Sequence, residues 1–319
     1  EGRILSNANS QSIYLIHGTF VGNDPFQIIS LIEHNFPSLN TNVISSIQKG
    51  TREMGSLIAK DLGNFISEHK NVLKEITLGK IDIHNFTWSS GNNHIARVRG
   101  CFELIKDIYE RQNYKGERVL LIGHSHAGQL FALMTQLVND SKLKNKLMAL
   151  LESYNELPAN LNIMIEHIAS LDLDFVTLGT PARYEWNLNS KMRLLHFINH
   201  RTKETTGGNF KGVLNTKDGD YIQQWGVAGS DMKSPIEKEH KINMELDEFF
   251  GIGSNIDVLK QNIQLRRRLH NHGHHLMVDY GDNGKLPNFG LTCFGHGQYT
   301  KLENFNFQLY WINKFFYNT

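Results

Sequence analysis

The chain has 319 residues, 40% of them hydrophobic, and its 33 Lys plus Arg nearly balance 32 Asp plus Glu, for a formal net charge of +1. That length and apolar content suffice for a sizeable core, and the charge balance argues against the basic excess that attracts nucleic acid or an anionic membrane surface. Asp, Glu, Lys or Asn interrupts every long apolar segment, so no run approaches the roughly 18 consecutive apolar residues of a spanning helix, and a soluble protein is expected.

The first apolar, β-branched run, residues 12–17, reads as a buried strand that ends in His17-Gly18, where the chain must turn. Helical spacing follows at 25–35 and 53–69, then a strand at 81–88 and a helix at 96–112. Residues 119–123 form the next strand and run directly into Gly123-His-Ser-His-Ala-Gly128, followed by helices at 127–139 and 142–154. Strands at 175–178 and 194–199 come next, then a Gly-, Thr- and Lys-rich stretch at 200–220 and a charged, helix-prone stretch at 233–268. The last strand, 276–280, precedes a glycine-rich loop and a terminal helix at 302–316. Strands alternating with helices imply one α/β domain, a mostly parallel doubly wound sheet with helices on both faces, because parallel neighbours need a crossover. The 233–268 segment breaks the alternation and reads as an edge insertion, either a surface excursion or a lid.

The Ser125 segment has the context that a nucleophile requires. A serine on a sharp strand-to-helix turn projects its hydroxyl above the sheet, and the glycines two before and three after it leave room for strand and helix to approach. The helix start beside it supplies free amide hydrogens and a positive dipole end for an oxyanion. Two converging backbone N–H groups are needed for that purpose. His126, the residue after the serine, is the first, and Thr19 in the loop after the first strand is the second, with Phe20 next in line.

Serine hydroxyl is a feeble nucleophile at neutral pH and needs a histidine to take its proton, with a carboxylate to orient that histidine. Among 16 histidines, His296 in Phe294-Gly-His-Gly-Gln-Tyr-Thr300 lies after the final strand and between glycines, which suits the base. His270, His272, His274 and His275 are its competitors, but their spacing does not match a metal-binding helix pattern, and no metal or cofactor is expected. The acid should follow the 194–199 strand, which offers Asp218, Asp220 and Asp231. Asp220 is favoured because a short apolar segment follows it, and Asp231 is the alternative. Asp279, His124 and His126 read as structural side chains. Trp88, Phe20, Phe26 and Phe294, on strand ends and adjoining loops, are candidates for lining an acyl pocket as well as for the core. Cys101 and Cys293 stand far apart, and a chain of this size folds without a staple. A start at Glu1 with no methionine allows for removal of a leader and leaves the compartment open.

These motifs resemble lipases and esterases of the α/β-hydrolase superfamily, especially bacterial lipase-like members with His-Gly-Thr after the first strand and Gly-His-Ser-His around the serine. Three more segments are similar to those proteins: Phe86-Thr-Trp-Ser-Ser-Gly-Asn-Asn-His-Ile-Ala-Arg97, Val176-Thr-Leu-Gly-Thr-Pro181 and Gly295-His-Gly-Gln-Tyr-Thr300. The likeness runs from about Tyr14 to the terminal helix. It departs from the pattern at Ala127, where glycine is common, and at 233–268. The resemblance implies the α/β-hydrolase fold and a Ser125, His296 and aspartate triad that cleaves carboxylic esters of lipid or acyl type, with transient contact at a lipid surface. Two alternatives stay open: a catalytically silent scaffold that binds a lipid or protein, and a phospholipase or acyltransferase on the same triad.

Overall fold

Apolar side chains alternate between the two faces of each strand, and that pattern dictates a sheet covered on both sides. The computed structural model describes residues 10–18, 65, 67–111, 117–201, 219–225, 233–250, 268–280 and 295–317. Six strands, β1 (Ser10–Ile16), β2 (Asp82–Phe86), β3 (Arg118–His124), β4 (Asp172–Leu178), β5 (Met192–Asn199) and β6 (His274–Val278), form one sheet in the order β2-β1-β3-β4-β5-β6. Every pairing is parallel. Helices among the described residues are α1 (Ser67–Ile76), α2 (His94–Arg111), α3 (Ala127–Asn139), α4 (Ser141–Ser153), α5 (Leu161–Ser170), α6 (Tyr221–Trp225), α7 (Glu237–Phe250) and α8 (Leu302–Phe316). Both faces of the sheet carry helices, so the architecture is α/β.

Tyr14, Ile16, Val119, Leu121, Leu173, Phe175 and Leu194 face one layer and pack with residues of α2, α3, α4, α5 and α7. Their neighbours Ile13, Leu15, Leu120, Ile122, Val176, Leu178, Leu195 and Phe197 face the other, against Phe65, Leu73 of α1 and Phe305, Leu309, Ile312 and Phe316 of α8. Burial on both faces is why these strands read as continuous apolar runs.

All the strands but β2 begin earlier than the apolar runs suggest. β3, β4 and β5 carry charged residues at or near their starts, where Asp174, wholly buried, is held by Arg118 at 3.1 Å and Arg193 at 2.6 Å and accepts from the Tyr317 hydroxyl at 2.8 Å. β6 runs from His274 rather than Leu276, with a histidine-rich start that gives no apolar signal. Helix α5, whose Leu161, Met164, Ile165 and Ile168 are buried, is an element that the expected alternation lacked. The helix expected at 53–69 lies mostly outside the described residues, and the helix observed there begins at Ser67; the one expected at 25–35 lies wholly outside them. Within 233–268, residues 233–250 are described and contain α7, whose Ile242 and Leu246 enter the main core.

The chain leaves β1 outward to β2, then returns to the opposite side of β1 to form β3. The switch in strand order therefore falls between β1 and β3, and open parallel sheets bind ligands beyond the carboxyl ends of strands at such a point.

Candidate active site

Ser125 follows β3 directly and has φ 54, a left-handed conformation that a serine adopts only when its surroundings impose it. Here those surroundings are specific. The Ser125 N–H donates to the Leu178 carbonyl at the end of β4 (2.9 Å), and its own carbonyl accepts from the Gly128 amide (3.2 Å) and the Thr180 hydroxyl (2.7 Å). A Cβ on Gly128 would lie 2.1 Å from Thr180 Oγ1, and one on Gly123 would lie 2.7 Å from the Phe131 ring, so both positions exclude a side chain. Ala127 fits because that same Gly123 Cβ position lies 3.1 Å from its methyl group, in space that glycine leaves open.

The end of β1 reaches the same corner. A Cβ on Gly18 would lie 2.7 Å from Ser125 Cβ and 3.1 Å from His124 Nδ1. His17 fixes that end: its carbonyl accepts from the Trp88 indole at 3.0 Å, and its ring Nδ1 donates to the Gly18 carbonyl at 2.9 Å. Trp88 is thus a buried side chain that anchors a strand end, with its ring against Gly100 of α2. Thr19, Phe20, Phe26, Asp218, Asp231 and Phe294 lie outside the described residues.

His296 starts a 3₁₀ turn, His296–Gln298, and its Nδ1 donates to Asp220 Oδ2 at 2.7 Å. The other carboxylate oxygen of Asp220 accepts from the Gln223 amide at 2.9 Å, which makes the aspartate the N-cap of α6. One side chain therefore both starts a helix and orients a histidine. Because a carboxylate only accepts, the proton of neutral His296 sits on Nδ1 and the lone pair on Nε2. That Nε2 is buried and, among the described residues, has no hydrogen-bond partner, the Ser125 hydroxyl included. Ser125 and His296 are brought to one corner through His124, whose ring centroid lies 4.5 Å from that of His296, without the hydrogen bond that would join them. Such contacts are often loose until a substrate is bound.

Several supporting residues carry no motif that sequence reasoning could have found. Tyr299 accepts from the Asn199 amide at 2.7 Å, and a Cβ on Gly179 would lie 2.4 Å from its ring and 2.8 Å from Asp220 Oδ2. Burial, helped by the nearby Asp220 charge, pushes the Tyr299 phenol well above its ordinary pKa and keeps it a neutral hydrogen-bonding group. Arg268 is buried and donates through Nε to the Asp220 carbonyl at 2.6 Å, and its own carbonyl accepts from Gln223 at 3.2 Å. Tyr299 and Thr180 are the exceptions, since they belong to the Gly295–Thr300 and Val176–Pro181 segments already noted.

Two of the competing histidines, His270 and His275, join His196 in a separate cluster. His196, His270 and His275 stack, with His196 and His270 centroids 3.9 Å apart and their planes parallel within 1°. His270 Nδ1 accepts from the Trp186 indole (3.2 Å) and Nε2 donates to the Thr180 carbonyl (3.0 Å), so both nitrogens are engaged. His196 is held by the Thr177 hydroxyl at 2.6 Å and the His272 carbonyl at 3.1 Å. Burial lowers the pKa of both, that of His270 to about 4. Among the described residues, no group of three or more His, Cys, Asp or Glu side chains is arranged to hold a metal ion. Asp279 is exposed and lies 3.5 Å from Arg201 in a surface ion pair, whereas His296 is paired with Asp220.

A second aspartate and histidine pair went unanticipated. His94, at the start of α2, contacts Asp247 of α7 through Nε2 at 2.7 Å and the Tyr184 hydroxyl through Nδ1, with Phe250 stacked on its ring. Asn243 caps the same helix by accepting from the Ile95 amide at 2.8 Å. These contacts tie α7 down beside the carboxyl ends of the strands.

No family model, curated protein or solved structure matches this chain. Among the described residues, no helix is long and apolar enough to cross a membrane.

Proposed function

We propose that the chain is a serine hydrolase of the α/β-hydrolase type that cleaves carboxylic esters, of lipid or acyl type, through Ser125, His296 and Asp220. The observation that carries this reading is the His296 to Asp220 contact at 2.7 Å, which leaves the other imidazole nitrogen open beside a serine in a strained strand-to-helix turn. Chain order supports it as well: the serine follows β3, the aspartate follows β5 and the histidine follows β6, the Ser, acid, His sequence of that fold.

In this mechanism the Ser125 hydroxyl closes on His296 Nε2 and passes its proton there as it attacks the ester carbonyl. Asp220 holds the imidazole with its lone pair toward the serine and stabilises the imidazolium that forms. The developing oxyanion is met by the amide of His126, at the start of α3 with its positive dipole end, and by that of Thr19. His296 then returns the proton to the leaving alcohol, and water releases the acyl group by the reverse use of the same base.

A fluorophosphonate probe tests the reading by covalent capture of the nucleophile. Wild type should be labelled at Ser125 and the Ser125→Ala variant left unlabelled. A correctly folded wild type that takes up no probe removes the hydrolase assignment and favours the silent scaffold. Rates on dispersed against aggregated esters separate a soluble-ester hydrolase from a lipase, and acyl transfer to an added alcohol identifies an acyltransferase.

A further inference from the structure

The base loop is held by its carbonyls. The Gly295 carbonyl accepts from Asn199 Nδ2 at 2.8 Å, that of Gln298 from Asn304 Nδ2 at 2.8 Å, and that of Tyr299 from Gln308 Nε2 at 2.7 Å. The fourth, that of His296 itself, accepts from His124 Nε2 at 3.1 Å. Asn199 lies on β5 and Asn304 and Gln308 lie on α8, so three of these ties place the loop relative to the far side of the sheet. Only the His124 tie comes from the strand that carries Ser125, and His124 is the residue immediately before it.

His124 is also packed on both sides. Its ring lies 4.5 Å from the His296 ring and 5.9 Å from that of Tyr299, while a Cβ on Gly18 would come within 3.1 Å of its Nδ1. A backbone carbonyl only accepts, so the proton of His124 sits on Nε2 and the tautomer is fixed. We propose that His124 is a positioning residue that sets the separation between the nucleophile and its base, an inference that rests on the hydrolase reading above. Its side chain acts as a spacer of fixed length: one end is the backbone from which Ser125 projects and the other is the carbonyl of the residue that takes the serine proton. Proton transfer is steep in distance, and a misplacement of about 1 Å costs on the order of a hundredfold in rate.

The test compares wild type with His124→Phe, which keeps the ring and loses the donor, and His124→Gln, which restores a donor of similar reach. The measurement is the second-order rate of fluorophosphonate labelling at Ser125, with kcat and KM on a short-chain activated ester read alongside thermal melting. The phenylalanine variant should label about ten- to a hundredfold more slowly, with kcat reduced in parallel and KM nearly unchanged, and glutamine should recover most of that loss. Wild-type labelling with an equally fast phenylalanine variant overturns the spacer role and leaves the hydrolase reading intact. Loss of labelling in folded wild type overturns the hydrolase reading itself. Should the phenylalanine variant fail to fold, His124→Met against His124→Gln makes the same comparison, and equal rates for those two also refute the spacer.

Discussion

Asp220 performs two tasks that a single substitution can separate. Its Oδ1 caps α6 through the Gln223 amide and its Oδ2 orients His296. Asparagine is as good an N-cap as aspartate, so Asp220→Asn should keep the helix start while removing the charge that supports an imidazolium. Ester hydrolysis should fall by about four orders of magnitude with little change in melting temperature, whereas Asp220→Ala should also lose about 1 kcal/mol of stability. Steady-state kinetics and urea unfolding of the two variants check this. Ser125 and its turn were legible in the sequence because the strand, the glycines and the helix are local and contiguous. The partners of Asp220 were not, because Asn199 and Arg268 are ordinary polar residues whose roles arise only when the chain after β5 meets the chain before β6.

At the scale of elements, the helix of α7 was legible and its burial was not. Its charged sequence resembles a solvated excursion, yet Ile242 and Leu246 are fully buried, and its polar residues are spent on Arg99, His94 and the Ile95 amide. A mobile cover would release such residues at little cost. Leu246→Ala should therefore destabilise the whole molecule by about 2–5 kcal/mol in urea unfolding, and a loss well under 1 kcal/mol would show that α7 is only loosely attached. At the opposite end of the sheet, Asp174 is buried between Arg118 and Arg193. Asp174→Ala removes the carboxylate that the two guanidinium groups share, though Arg118 keeps Asp172, and should cost about 1–3 kcal/mol, while the labelling rate of the folded protein at Ser125 stays unchanged. The charged residues at or near the starts of β3, β4 and β5 hid this cluster from a reading based on apolar runs, although the alternation of apolar runs with helical stretches was enough for the α/β architecture.

For the whole molecule, the stacked histidines set an acid limit. His196 and His270 are buried and neutral, with pKa values below the ordinary histidine value, that of His270 at about 4. An unfolded chain protonates both near pH 6.5, so between about pH 6.5 and 4 the unfolded state binds more protons than the folded one. Stability is then complete above that window and falls as pH drops through it, by up to about 1.4 kcal/mol per pH unit for each histidine. Urea midpoints at pH 7, 5.5 and 4.5 measure the slope, and His270→Gln should flatten it; an unchanged slope in that variant would assign the acid sensitivity elsewhere. Because His270 also donates to the Thr180 carbonyl, and the Thr180 hydroxyl holds the Ser125 carbonyl, loss of the stack should be felt at the nucleophile turn.

The central claim is that Ser125 becomes acylated with His296 as its base. Intact-protein mass spectrometry after brief mixing with an activated acyl ester tests it most directly. One acyl group per chain, mapped to the peptide bearing Ser125 and absent from both Ser125→Ala and His296→Ala, is the predicted result. A folded wild type that gains no acyl mass, or one that gains it equally without His296, contradicts the account.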